Sequence, residues 1–137
     1  MMEVFKVFEV SASGMYAQRV RINVIASNLA NYESYTREGE PYRRLEPVFE
    51  AVETPGNLSK GLVPVRVVEI RRSDAPFRLL FDPTNPRADR DGFVRLPNVD
   101  VTAEMVDMLS ALRSYEANLT AFNATKEIVQ RTLELWR

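Results

Sequence analysis

Carboxylates are the side chains of this 137-residue sequence that could carry acid–base chemistry, because it contains neither His nor Cys. Those absences remove the commonest general base, the commonest transition-metal ligand and every thiolate nucleophile. Asp82, Asp89, Asp91 and Asp100 cluster around predicted turns, and a hydrolase would need two of them held close together in a cleft. Turn aspartates more simply bond backbone N–H groups. We therefore predict no catalytic residue and a protein that is not an enzyme.

Ligand-binding motifs are equally weak. The run Asp89-Arg90-Asp91-Gly92 is similar to the start of a calcium loop, but the third acidic ligand and the closing Glu are missing, which favours a hairpin turn. Neither a phosphate loop, a dinucleotide fingerprint nor a nucleophile elbow occurs. The 18 basic and 19 acidic residues give a net charge of −1, which argues against nucleic acid and a polybasic membrane anchor. We expect no metal, cofactor, small-molecule substrate or nucleic-acid partner.

Targeting signals of the usual kinds are missing. The opening MMEVFKVFEVSASG is interrupted by Glu3, Lys6 and Glu9, so it cannot form the apolar core of a signal peptide. No run of about 18 apolar residues predicts a transmembrane helix. On these signals alone, the cytoplasm is the default compartment.

Proline divides the chain into three segments. All eight prolines lie between Pro41 and Pro97, and residues 1–40 and 98–137 contain none. Proline costs about 3 kcal/mol in a helix interior. Two proline-free ends around a proline-rich centre therefore predict the order helix, non-helical centre, helix.

The C-terminal segment has the strongest periodicity. Its apolar residues follow alternating steps of four and three, the d and a positions of a heptad repeat, with Lys126 as the exception. The series is Val101, Met105, Met108, Leu112, Tyr115, Leu119, Phe122, Lys126, Val129, Leu133 and Trp136. It predicts a helix of about 54 Å with Asp100 as its N-cap. Lys126 either fixes register and partner choice or keeps its ammonium in water, and we favour the second.

The N-terminal segment repeats this pattern less regularly. Five apolar residues are spaced by sevens: Met1, Phe8, Met15, Ile22 and Leu29. The middle of the seam is small or polar, which permits close helix approach or a local break: Ser11, Ala12, Gly14 and Gln18. We predict a helix from Val4 to Ala30, about 40 Å long, ending at Asn31.

Apolar residues in the centre predict four short strands, at 47–52, 63–70, 77–81 and 93–96. The sequence thus predicts an α+β fold in which long N- and C-terminal helices form an antiparallel coiled-coil-like pair with a small central β-rich module. We assign residues 1–31 and 98–137 to a helical core domain and residues 32–97 to a β-rich outer module. Apolar residues such as Val106 and Ile128 also lie outside the seam, so we expect helices of other subunits to cover them.

Both ends of the chain resemble the terminal signatures of the bacterial flagellar rod and hook proteins. The resemblance is carried by SGMYAQ (13–18), RINVIASNLAN (21–31), LPNVDV (96–101), EMV (104–106) and RSYEAN (113–118). Residues 41–44, 82–86 and 92–94 and the short central insert favour a rod subunit. Either signature alone would indicate only the wider axial family; together they cover essentially the whole chain.

The resemblance implies a structural subunit of the proximal rod, the drive shaft that carries motor torque to the hook. In that family the helices line a tube and the β module lies outside. Partners would be copies of the chain, neighbouring rod subunits and, as a further candidate, the base of the membrane ring. Export through the flagellar type III apparatus, without a cleaved signal peptide, would replace the cytoplasmic default by the periplasm-spanning basal body.

We assign an assembly interface on the same grounds. It comprises Phe8, Met15, Ile22, Ile25, Asn28, Leu29, Asn31, Asn98, Asp100, Met105, Met108, Leu112, Tyr115, Asn118, Leu119, Phe122, Val129, Leu133 and Trp136. Two alternatives remain at this point: another flagellar axial subunit, of the distal-rod or hook type, and a coiled-coil adaptor that does not polymerise.

Overall fold

The computed structural model describes residues 2–136; Met1, the first position of the N-terminal heptad, and Arg137 lie outside the described residues. The elements are α1 (Met2–Ala30), β1 (Leu45–Ala51), α2 (Asn57–Lys60), β2 (Val65–Arg72), β3 (Arg78–Phe81), β4 (Phe93–Leu96) and α3 (Val101–Leu135). This order confirms the predicted α+β fold with its two long helices and four strands. The four-residue α2 was not predicted, and a glycine with positive φ flanks it at each end.

The two long helices pack antiparallel against each other, as predicted. Near the start of α1, the ring of Phe8 contacts the ring of Phe122, with centroids 4.8 Å apart. Further along, the Arg21 guanidinium pairs with the Asp107 carboxylate. The first third of α1 therefore lies beside the second half of α3, and the helices are paired at least from Phe8 to Arg21 of α1.

Gly14 allows a close approach between α1 and α3. A Cβ at this position would lie 2.6 Å from Oδ1 of Asn118 and 2.8 Å from its Cγ. Since α1 runs unbroken through this position, the small and polar middle of the seam produces a close contact with α3, not a helix break.

Two antiparallel hairpins form the β-rich part. β1 pairs with β2 from Leu45 opposite Arg72 to Ala51 opposite Val65, with a bulge at Val48 and Phe49. β3 pairs with β4, with Phe81 opposite Phe93. The β1–β2 hairpin packs on α1, where the Val65 N–H donates to the Ser13 hydroxyl at 3.1 Å.

α1 lies between α3 and the β1–β2 hairpin. Its residues Ala17, Val24 and Ile25 are buried, as is Ala111 of α3. Among the elements of residues 2–136, α3 packs only against α1. The division into a helical core domain and a β-rich outer module stays a prediction, and α1 makes contacts with both parts.

None of the described helices has an apolar stretch that would let it cross a membrane.

Candidate functional site

The predicted heptad of α3 divides into an inward and an outward half. Its d positions Met108, Tyr115, Phe122 and Val129 are partly buried on the side of α1. The residue before each a position, the g position of the heptad, completes the seam towards α1. These residues are smaller or polar: Glu104, Ala111, Asn118 and Thr125. The chain therefore uses only half of its apolar heptad to pair its own two helices.

The a positions of α3 face outward. Met105 is 55% exposed, Leu112 is 41% exposed and Leu119 is 39% exposed, and Leu133 follows at 54%. Lys126, the one charged residue of this series, is also exposed, as expected for a side chain that keeps its ammonium in water. Large exposed side chains repeating along one helix are typical of a surface that another protein covers.

The junction between α1, the segment before β1 and α3 is built from buried polar groups. Asn28 is fully buried, and its Oδ1 accepts hydrogen bonds from the Tyr42 hydroxyl and the Leu45 N–H, both at 2.9 Å. Its Nδ2 donates to the Leu45 carbonyl at 2.9 Å and to Glu104 Oε2 at 3.4 Å. The single amide thus joins the end of α1 to β1 and to the first turn of α3.

Glu104 is the one charged residue of this junction that is almost fully buried, at 1% exposure. Its carboxylate accepts a hydrogen bond from the Arg44 side chain and forms an ion pair with it. Burial works to lower the pKa of Arg44, but the hydrogen bond and the charge of Glu104 outweigh it and raise that pKa above its ordinary value. Pairing compensates the cost of placing this carboxylate away from water.

Asn98 and Asp100 fix the entry into α3. Asn98 Oδ1 accepts from the Arg44 N–H at 2.7 Å, and its Nδ2 donates to the Ala75 carbonyl at 3.0 Å. The Asp100 carboxylate accepts from the Ala103 N–H at 3.2 Å, which confirms Asp100 as the N-cap. We call the set Asn28, Tyr42, Arg44, Asn98 and Glu104 the polar junction.

The turn aspartates bond nearby groups within their own loops. Asp89 Oδ1 accepts from the N–H groups of Asp91 and Phe93, each at 2.9 Å. The Asp82 carboxylate accepts from the Thr84 hydroxyl at 2.9 Å. These contacts agree with the hairpin-turn interpretation. In residues 2–136 no group of three or more acidic side chains is placed to hold a metal ion.

The predicted interface residues fall into three groups by exposure. Ile25, Asn28 and Asn98 are buried inside the chain, so they support its fold and do not lie on its surface. Ten are partly buried between the elements: Phe8, Met15, Ile22, Leu29, Asn31, Met108, Tyr115, Asn118, Phe122 and Val129. Six are exposed: Asp100, Met105, Leu112, Leu119, Leu133 and Trp136. The exposed group presents the largest surface to another molecule in this conformation, and the assignment of the whole set to an assembly interface stays a prediction.

Sequence reasoning missed the pairing of Arg44 with Glu104 and of Arg21 with Asp107. The partners of the first pair are 60 residues apart and those of the second 86. The heptad could place Glu104 and Asp107 on the side of α3 that meets α1, but it gave no signal for their arginine partners.

Comparisons with known families agree with this architecture at both ends. Residues 8–33 match the family described as "Flagella basal body rod protein", and residues 90–135 match "Flagellar basal body rod FlgEFG protein C-terminal". The first match covers most of α1, and the second covers β4 and α3. Paired terminal helices with both signatures define the class of flagellar axial proteins.

Similarity over the full length narrows this class. The chain is 57% identical over 137 residues, all of both chains, to the flagellar basal-body rod protein FlgC of Aquifex aeolicus. It is 47% identical to the protein of the same name from Yersinia enterocolitica, over 98% of each chain. The FlgC of Bacillus subtilis is 43% identical over 98% of this chain and 99% of its own. The chain belongs to the FlgC family of flagellar basal-body rod proteins.

Proposed function

We propose that this chain is a structural subunit of the proximal rod of the bacterial flagellar basal body. It polymerises there with copies of itself and with neighbouring rod subunits into the shaft that transmits motor torque to the hook. Its role is mechanical and not catalytic. Family membership, which rests on full-length similarity, supports this assignment over a distal-rod or hook-type subunit.

The observation that carries the proposal is the outward half of the α3 heptad. Met105, Leu112, Leu119 and Leu133 are each about half exposed. Burying the remaining surface of four such side chains would contribute about 3–6 kcal/mol. A helix that leaves this surface open is suited to lateral packing against another helix, as polymerisation requires.

We further propose that the chain reaches the rod through the flagellar type III export apparatus, without a cleaved signal peptide, and that the base of the membrane ring is among its neighbours. In cells that lack a working export gate, an epitope-tagged copy should stay in the cytoplasm. Export of the tagged protein from such cells would contradict this route.

Imaging of basal bodies tests the rod assignment against a non-polymerising adaptor. Deleting the gene in the source bacterium should leave basal bodies without rod and hook in electron cryotomograms. Expression of the intact chain should restore both. Normal rods in the deletion strain would refute the structural role, and rods that form but fall off would favour an adaptor.

Substitution of the turn aspartates tests the absence of catalysis. Asp82→Asn and Asp91→Asn remove the charges that an acid–base mechanism would need. If the role is structural, both variants should swim at the wild-type speed. A non-motile variant whose rods are complete in tomograms would support a catalytic function.

A further inference from the structure

The outer side of α1 carries a second regular stripe. From Phe5 to Ala30, every exposed residue of the helix follows alternating steps of four and three. The members are Phe5, Glu9, Ala12, Tyr16, Arg19, Asn23, Ala26 and Ala30. Residues at this spacing share one face of a helix, and we call this face the α1 stripe.

The outward face of α3 carries a stripe with the same steps. It consists of the a positions and the exposed residues that alternate with them: Met105, Leu109, Leu112, Glu116, Leu119, Asn123, Lys126, Gln130 and Leu133. Leu109 is 62% exposed and extends the apolar surface. We call this face the α3 stripe.

The charges of the two stripes complement each other in one antiparallel register. When Arg19 of one copy is placed beside Glu116 of a second, antiparallel copy, every residue of the α1 stripe lies beside a residue of the α3 stripe. Glu9 then lies beside Lys126, so two opposite-charge pairs form in the same alignment. A parallel alignment with Arg19 beside Glu116 would place Glu9 beside Val106 and form only one pair.

Side-chain sizes are complementary at the last two positions of the α1 stripe in the same register. Ala26 falls beside Leu109 and Ala30 falls beside Met105, so small residues of one stripe face large residues of the other, as interdigitation requires. Among residues 2–136, Glu9, Arg19, Glu116 and Lys126 form no ion pair within the chain. All four charges are therefore available to a second copy.

We propose that the α1 stripe of one copy packs antiparallel on the α3 stripe of a second copy, with Arg19 paired to Glu116 and Glu9 paired to Lys126. This inference rests on the proposed polymerisation and names the surfaces that make the contact between like subunits. Each copy offers two different faces, so the contact is heterologous and can repeat in a ring or a helical tube.

The contact also fixes the relative orientation of the copies. α1 is antiparallel to α3 both within the chain and across the interface, so the two copies point in the same direction. Within the chain Asn28 contacts Glu104, whereas across the interface Asn28 would lie level with Asp107. By this comparison the second copy is staggered along the helix axis by about three residues, or roughly 4.5 Å at 1.5 Å per residue.

Disulfide cross-linking tests the register, because the chain has no cysteine of its own. Two chains of different length, one with Ala12→Cys and one with Asn123→Cys, are mixed and oxidised. Both positions are exposed and lie beside each other in the proposed contact. The matched control pairs Ala12→Cys with Gln130→Cys, which is displaced by about 10 Å along the helix, beyond the reach of a disulfide.

The yield of the disulfide-linked mixed dimer should be several-fold higher for the matched pair of variants than for the displaced pair. Arg19→Glu on the Ala12→Cys chain should lower its yield on the order of fivefold, and Glu116→Arg on the Asn123→Cys chain should restore it. Circular dichroism verifies that each variant is folded, and Ala26→Cys with Leu109→Cys provides a second matched pair. Equal yields for matched and displaced pairs, or no rescue by the second charge reversal, would overturn this contact. Because rods in deletion and restored strains are scored separately, that result would leave the rod assignment intact.

Discussion

The Glu104 side chain connects α3 to two other segments of the chain. It lies in the first turn of α3, where an acidic side chain interacts favourably with the helix dipole. In the structure its carboxylate lies between Arg44 and Asn28, which come from two other segments. Asn28 and Glu104 belong to the terminal signatures, but their contacts could not be predicted from sequence, because no local pattern joins positions 44 and 104.

Arg44→Ala should strongly destabilise the fold. Removing one partner of a buried ion pair leaves the other charge uncompensated, which costs about 3 kcal/mol or more. Because the folded-state pKa of Arg44 is raised, its guanidinium is fully charged at neutral pH, so the variant is compared with the wild type there. Urea unfolding monitored by circular dichroism gives the free energy of unfolding.

The matched control for Arg44→Ala is Arg66→Ala. Arg66 also pairs with a glutamate, Glu50, but both side chains are more than half exposed. An exposed pair of this kind contributes less than about 1 kcal/mol. Equal losses of stability in the two variants would show that burial of Glu104 has no special importance.

Asp89 should stabilise the β3–β4 turn more than Asp91 does. Its Oδ1 accepts two backbone hydrogen bonds at 2.9 Å, and losing them costs about 1 kcal/mol. Asp89→Ala should therefore speed hydrogen exchange of the Val94 amide in β4 about fivefold. Asp91→Ala serves as the control and should leave that rate nearly unchanged; equal acceleration by both would contradict the assignment.

At the scale of elements, periodicity predicted the helices well and their facing surfaces only in part. Predicted and observed bounds differ by two residues at the start of α1 and by one at the end of α3. The heptad of α3 was interpreted as one seam, whereas the structure places Met108 towards α1 and turns Met105 outward. Apolar spacing cannot separate two partners on neighbouring helix faces, because one series of a and d positions can serve both.

The contact between Gly14 of α1 and Asn118 of α3 can be tested directly by mutation. Alanine is favoured over glycine in a helix by about 1 kcal/mol, but a Cβ on Gly14 would collide with the Asn118 amide at 2.6 Å. That amide donates to the Ser114 carbonyl at 2.9 Å, and displacing it would cost this bond. Overpacking of this kind costs about 1–3 kcal/mol.

Gly14→Ala should therefore destabilise the wild-type chain or leave it unchanged, yet stabilise the Asn118→Ala background by about 1 kcal/mol. The double-mutant cycle isolates the coupling between the two positions. Both free energies of unfolding come from urea titrations. A gain of the same size in both backgrounds would mean that the helices are not in close contact at Gly14.

At the scale of the whole molecule, the chain has the properties of a building unit. α1 is covered on two sides by α3 and the β1–β2 hairpin, whereas α1 is the only helix or strand of the described chain on which α3 packs. The near-neutral net charge of −1 keeps repulsion between copies small. Composition and periodicity predicted the assembly role, but the division of surfaces between partners required the three-dimensional arrangement.

The end of α3 provides the most direct readout of assembly. Leu133 is 54% exposed, and Leu135 and Trp136 are each 86% exposed, beyond the part of α3 that α1 covers. Because Trp136 is the only tryptophan of the chain, its fluorescence reports on this end alone. Apolar side chains this exposed in the free subunit should be buried when another subunit packs against them.

Polymerisation should therefore shift the emission of Trp136 to shorter wavelength and protect it from acrylamide quenching. Amides of residues 130–135 should exchange rapidly in the monomer and slowly in the polymer, whereas amides around the buried Ile25 should be protected in both. Trp136→Ala should weaken assembly and leave the unfolding free energy of the monomer nearly unchanged, because its side chain is exposed there. Emission that does not change on assembly would place the end of α3 outside the subunit interface.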